Sequence, residues 1–253
     1  MTALLKLTAT EAKLFAREPI ASLFSVLFPT VILLALGAVP VLREPSEDFG
    51  GARFVEMWAP TALVIGIAVV GVQHIPGSIA AYREMGILRR MSTTPVHPRN
   101  VLLAQLIVAL SSVVVSAVLL VLSAWLILDV PLPERPGAFA LSFVVGFGAV
   151  LSIGMLLAAV VPTTKAANGL GMLAFMVIMF FGGVYIPRFL MPDTLVRIGD
   201  YTPPGIQTML EAWSSEAAQV TGDGAASFWM PLAVMVATAI VAGVIAAKTF
   251  RWE

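Results

Sequence analysis

The 253-residue chain has no cysteine, little charge and almost no ionisable group inside its long apolar runs. Without thiols it has no disulfides, no thiolate metal sites and no cysteine nucleophile. Its two histidines, His74 and His97, lie far apart with no accompanying ligand motif, so imidazole-based zinc chemistry lacks a framework. None of the lysines, Lys6, Lys13, Lys165 and Lys248, follows the glycine-rich spacing of a P-loop. No G-x-S-x-G or H-E-x-x-H run occurs, and no paired carboxylates fall within the apolar runs. The chain therefore has no catalysis or cofactor of its own to offer. If ATP drives it, another subunit must bind the ATP and its magnesium.

Charged residues make up 12% and hydrophobic ones 59%, with a mean hydropathy of +0.95. Soluble domains carry about 25% charge and about 45–50% apolar residues, so this excess calls for lipid. Net charge is zero, which gives no basic balance suited to nucleic acid.

What the sequence does hold is a series of apolar runs of about twenty residues, the length that crosses hydrocarbon as a helix. They lie near 20–42, 57–79, 101–128, 138–161, 167–187 and 227–247. These predict an all-α membrane protein with six transmembrane helices. The first run is longer than a signal-peptide core and begins only after Pro19, so it reads as retained. An even count puts both termini on one side. Lys6, Lys13, Arg17, Arg83, Arg89, Arg90, Arg99, Lys165, Lys248 and Arg251 gather there, against Arg43, Arg53, Arg135, Arg188 and Arg197 opposite. The basic excess predicts that both termini of this multi-pass protein are cytoplasmic.

Residues 1–19 read as a helix lying on the membrane, because Lys6, Lys13 and Arg17 share a narrow arc while Leu4, Leu5 and Phe15 face elsewhere. Membrane lipids are its expected partner. Residues 20–253 then form one six-span domain, with a coupling loop at 80–99 and an outer segment at 188–226. Pro187, Pro192, Pro203 and Pro204 punctuate that outer segment, and apolar residues such as Leu195, Ile198, Met209 and Trp213 recur at helical spacing. The pattern predicts short extracellular helices between spans five and six.

A proton-driven carrier keeps a carboxylate or histidine inside the membrane to load its ion. Here Glu56 and His74 stand only at the margins of a span, which ranks an ion-coupled secondary transporter as an alternative rather than the leading reading. A non-transporting scaffold is a third. The segment from Tyr82 to Pro95 packs charge and helix-forming residues between two long apolar runs. It predicts a short helix with Met85, Leu88 and Met91 on one side and Arg89 and Arg90 offering charge. Gly86 would permit close backbone approach, and Pro95 and Pro98 would end the helix. A basic loop of this kind also serves topology alone.

The run Arg83-Glu84-Met85-Gly86-Ile87-Leu88, followed by Met91 and Thr94-Pro95, is similar to the E-R-E-x-G-T-L…L…P-V segment of ABC-2 type transporter permeases. Tyr82, Ile87 and Met91 replace the usual Glu, Thr and Leu. Phe181-Gly182-Gly183-Val184-Tyr185-Ile186-Pro187, Met191-Pro192 and Thr202-Pro203 resemble the same family's F-x-G-x-x-x-P, L-P and T-P series. The finer resemblance is to the drug-resistance branch that includes the daunorubicin exporters.

This resemblance implies a permease subunit that pairs with a second copy and docks an ATP-hydrolysing subunit. The implied contacts are Tyr82, Arg83, Glu84, Met85, Gly86, Leu88, Arg89, Arg90 and Met91, with the N-terminal helix and Lys165 as further ones. The implied activity is export of drugs or other lipophilic compounds, although lipid and glycan exporters share the scaffold. Along span five, Phe175, Met176, Met179, Phe180, Phe181 and Tyr185 present aromatic and flexible apolar groups suited to lining a path for such cargo, and equally to packing against lipid. Gly182 and Gly183 permit either a kink or a close helix approach. Gly148 with Ser152 and Gly154 with Ala158 have the spacing of helix packing.

Overall fold

In the computed structural model, residues 3–17, 19–46, 51–87, 90, 99–221 and 228–250 are described. Among them there is no β-strand; the one isolated bridge joins Pro45 and Arg53. The helices are α1 (Ala3–Arg17), α2 (Pro19–Gly37), α3 (Phe54–Ala68), α4 (Ile75–Glu84), α5 (Arg99–Leu128), α6 (Pro136–Val160), α7 (Thr164–Phe181), α8 (Asp193–Asp200), α9 (Ile206–Trp213), α10 (Ser215–Thr221) and α11 (Trp229–Thr249). A π-helical stretch, Val69–His74, joins α3 to α4 without a break.

Among the described residues, five helices are long and apolar enough to cross a membrane: Phe54–Glu84, Asn100–Leu128, Pro136–Val160, Thr164–Phe181 and Trp229–Thr249. A sixth is reached when α1 and α2 are taken as a pair bent by 64°. The bend falls beside Pro19, where the missing N–H and fixed φ suit a change of direction. The chain is thus an all-α membrane protein. We number the spans α2, α3–α4, α5, α6, α7 and α11 as one to six.

Span two is the axle of the bundle, with 94% of its window buried against 22–44% for the other four. Its apolar residues are not confined to one stripe, as expected of a helix enclosed on all sides. Packed on it are Phe143 and Phe147 of span four, Ile178 and Met179 of span five, and Met209 and Leu210 of α9. Two close contacts fix it. A Cβ on Gly154 would stand 1.8 Å from the Gly71 carbonyl oxygen, and one on Gly171 would stand 2.3 Å from that of Val72. Both carbonyls belong to the π-helical stretch, so spans four and five approach it through hydrogen-only positions. Gly148, expected to pack, instead faces open space within 4 Å, and its carbonyl accepts the Ser152 hydroxyl.

The structure differs from the sequence reading at the end of span two. The polar segment does not start a separate loop helix at Tyr82; Tyr82, Arg83 and Glu84 are the last turn of the span itself. No breaker interrupts the helix until Gly86, whose φ of +66° takes the left-handed conformation glycine tolerates. The Gly86 and Met85 amides close on the Arg83 and Ala81 carbonyls and finish the helix. Span two therefore has 31 residues, about 46 Å at the α-helical rise, against about 30 Å of hydrocarbon. Its last turns project.

Between spans five and six the predicted short helices are present as α8, α9 and α10. Glu134 and Arg135 hold this region to the start of span four. Their amides donate to the Trp213 and Ala212 carbonyls, and the Ser215 amide and hydroxyl donate to the Glu134 carboxylate.

Candidate coupling junction and inner cleft

Arg83 and Glu84 do not point outward as a free handle. The Arg83 guanidinium donates to the Val161 and Ala158 carbonyls, both at 2.9 Å, at the C-terminal end of span four. Helix C-termini leave carbonyls without amide partners, and a cation there also meets the negative end of the helix dipole. The same guanidinium lies 5.4 Å from the ring centroid of Phe250, just past span six. Glu84 accepts from the Thr164 amide (2.9 Å) and hydroxyl (2.6 Å), so it caps the first turn of span five. One turn of span two thereby ties together the ends of spans four, five and six. Lys165 sits exposed in the first turn of span five, with its charge acting on Glu84.

Tyr82 faces the other way, toward α1. Its hydroxyl donates to the Glu11 carboxylate at 3.1 and 3.2 Å, so the N-terminal helix is fastened to the same turn. His74 adds an edge-on contact with Phe15 of α1, their centroids 5.5 Å apart. Burial pushes the Glu11 carboxyl above its ordinary range, opposed by hydrogen bonds from Tyr82 and Gln105. A folded-state pKa above the unfolded one means that the folded form holds the proton more readily. The stability this supplies is complete below the ordinary value and is lost as pH rises through the raised one. We therefore expect hydrogen exchange in α1 to accelerate as pH climbs through that window, beyond the intrinsic rate, and Glu11→Gln to remove the excess.

Of the other residues expected to contact an ATPase, Met85 is 56% exposed, and no atom would meet a Cβ on Gly86. Arg90 is exposed and its amide donates to the Gly86 carbonyl. Leu88, Arg89 and Met91 lie outside the described residues.

The span-five residues separate into three settings. Met179 is 1% exposed and packs in the core against span two, so its flexible side chain fills an interior gap instead of lining a path. Phe175 packs half-buried on the same core, and Phe180 and Phe181 are half-buried and contact each other edge to face. Met176 is exposed on the same side as Met172, and Tyr185 is exposed beyond the helix end. Gly182 gives the close approach, and Gly183 lies at the end of the helix, where it makes no kink. Gly183, at φ +79°, ends the helix, while a Cβ on Gly182 would come within 2.8 Å of Val64 on span two.

A cleft of about 550 Å³ opens beside the π-helical stretch. It is lined by Phe24 and Ser25 of span one, Gln73, His74 and Ser78 of span two, and Asn168 of span five, among others. The Gln73 amide reaches the Met172 sulfur at 3.7 Å across its rim. Neither Gln73 nor Ser78 stood out in the sequence, because a lone amide or hydroxyl within an apolar run carries no periodic signal. Glu56, the marginal acid, is engaged elsewhere: it accepts from the Arg53 amide and guanidinium at the far end of span two. Arg53 in turn holds the Leu128 and Asp129 carbonyls. Among the described residues no cluster of acids and histidines could hold a metal.

An all-α bundle around one buried span, with the Arg-Glu turn knotting its ends, defines a polytopic membrane domain. The family profile for ABC-2 type transporters matches residues 2–204, from α1 through span five into the outer segment. The chain belongs to that family, the membrane components of ABC transporters, whose work implies association with an ABC ATPase. Searches of curated proteins and of solved structures found no match.

Proposed function

We propose that this chain is the permease subunit of an ABC exporter, pairing with a second copy and driven by a separate ATP-hydrolysing subunit. ATP and magnesium sit on that partner, and both termini and the Glu84 end of the bundle face the cytoplasm. The observation that carries this reading is the junction at Arg83 and Glu84. A push on the segment after Gly86 reaches the most buried helix of the bundle directly, and the same turn grips spans four and five. A shift driven by nucleotide needs such a rigid connection between two arrangements.

The cleft between spans one, two and five is the inward-facing half of the path. Its mixture of amides, hydroxyls and Phe24 suits an amphiphilic cargo, and drug efflux is the export we favour. The open side of this cleft and the exposed face of span five, including Leu173 and Met176, are where the second copy closes the path.

Reversing the charges of Arg89 and Arg90 to Glu tests the docking. We expect co-purification of the ATPase to fall by about tenfold or more, as loss of charge-complementary contacts would give, with export falling in step. Undiminished co-purification and undiminished export would remove this segment from the interface.

A further inference from the structure

At the end of the bundle opposite Glu84, a cavity of about 750 Å³ opens where spans four and six begin. It belongs to neither the junction nor the inner cleft. Its size falls within the about 300–1,000 Å³ typical of small-molecule sites. One wall is polar, formed by Arg135 and by Glu211 of α9. Their ion pair measures 3.0 Å, and Arg135 also donates to the Glu211 backbone carbonyl at 2.6 Å. The guanidinium lies 5.7 Å from the Phe228 centroid. About half of the Arg135 side chain and a quarter of the Glu211 side chain remain accessible, so both charges are presented to whatever occupies the space. Gln207, Ser215 and Gln219 add uncharged polar groups to the lining, and its apolar members include Leu141 and Trp229, both exposed on the outside of the bundle. Trp at a span's first turn is the position where an indole meets headgroups.

We propose that this cavity binds the headgroup of a zwitterionic phospholipid, with phosphate on Arg135, ammonium on Glu211 and acyl chains running along Leu141 and Trp229. An anionic lipid would compete with Glu211 for the guanidinium and leave the carboxylate facing a like charge. An uncharged glycolipid would leave the pair intact and gain nothing from it. A headgroup carrying both charges satisfies both side chains at once. With the orientation proposed above, this lipid belongs to the outer leaflet; the binding itself does not depend on that orientation.

The chain is purified from nanodiscs holding equal phosphatidylethanolamine, phosphatidylglycerol and uncharged glycolipid, and retained lipid is read by native mass spectrometry. The wild type is expected to keep phosphatidylethanolamine over each of the others by about fivefold or more. A Cβ on Gly137, which lines the cavity, would meet nothing within 4 Å. Gly137→Trp therefore starts an indole from an open position on the cavity lining, where it crowds the headgroup, and should bring phosphatidylethanolamine down to the level of the other two. Glu211→Gln keeps the shape but removes the carboxylate, and should move the preference toward phosphatidylglycerol. Equal retention of the three lipids by the wild type overturns the proposal, as does unchanged selectivity in Gly137→Trp. No ATPase or nucleotide enters the measurement, so its failure is distinct from failure of the exporter reading.

Discussion

Gly154→Val should leave little folded protein in the membrane. The added Cβ would occupy space 1.8 Å from the Gly71 carbonyl oxygen, a backbone atom that no rotamer change can move aside. Relief requires span four to back away from the π-helical stretch, which would open the contact between the most buried helix and its neighbour. Overpacking costs about 1–3 kcal/mol where side chains can adjust, and here the obstacle is backbone, so the loss should exceed that range. Gly171→Val, with its 2.3 Å approach to the Val72 oxygen, should follow the same course. Gly148→Ala and Gly169→Ala are the controls, because a Cβ at either meets nothing within 4 Å. The measurement is the yield of monodisperse protein and its thermal midpoint. Normal yield from Gly154→Val, or equal damage from the controls, would contradict this packing.

Arg188→Ala should destabilise the far end of the bundle by about 3–5 kcal/mol, the usual cost of breaking a buried ion pair from one side. Arg188 is 3% exposed and Asp200 1%, and they form a direct hydrogen-bonded pair. The guanidinium also donates to the Phe181 carbonyl at 3.3 Å and reaches the Val196 carbonyl and Gln207 side chain at 3.5 Å. A Cβ on Gly199 would stand 2.7 Å from its Nη1 nitrogen, so that glycine makes room for the charge. One side chain thus gathers the end of span five with α8 and α9. Removing it leaves Asp200 buried beside Gln207 without its cation. The double variant Arg188→Met with Asp200→Leu should recover much of the loss, since it buries no orphaned charge. Equal midpoints for Arg188→Ala and the wild type would show the pair to be unimportant to stability.

The spans were readable because their signal is length and hydropathy, which depend on no partner. The same holds for the short helices after span five, whose prolines and helical spacing are local. What the sequence left hidden depends on contacts made by distant segments. Arg83 reads as a surface cation until span four brings the Val161 carbonyl beside it. Glu84 reads as a solvated acid until span five presents Thr164. Arg188 follows Pro187 in a segment that looks exposed, and only the fold closes α8 and α9 over it. The π-helical stretch has no composition of its own, so the cleft beside it could not be foreseen. The aromatic stripe on span five was visible, but Met179 shows that one face of such a helix serves the core.

The proposed coupling role of the span-two turn is most directly tested by the amount of substrate exported per ATP hydrolysed. It is measured in vesicles containing the chain and its ATPase, for the wild type and Glu84→Ala. The substitution removes both bonds to Thr164 while leaving the segment beyond Gly86 unaltered. The account predicts that the ATPase still assembles and hydrolyses ATP, and that the ratio falls by about tenfold or more as the drive to spans four and five is lost. A ratio equal to that of the wild type, with assembly intact, would contradict it.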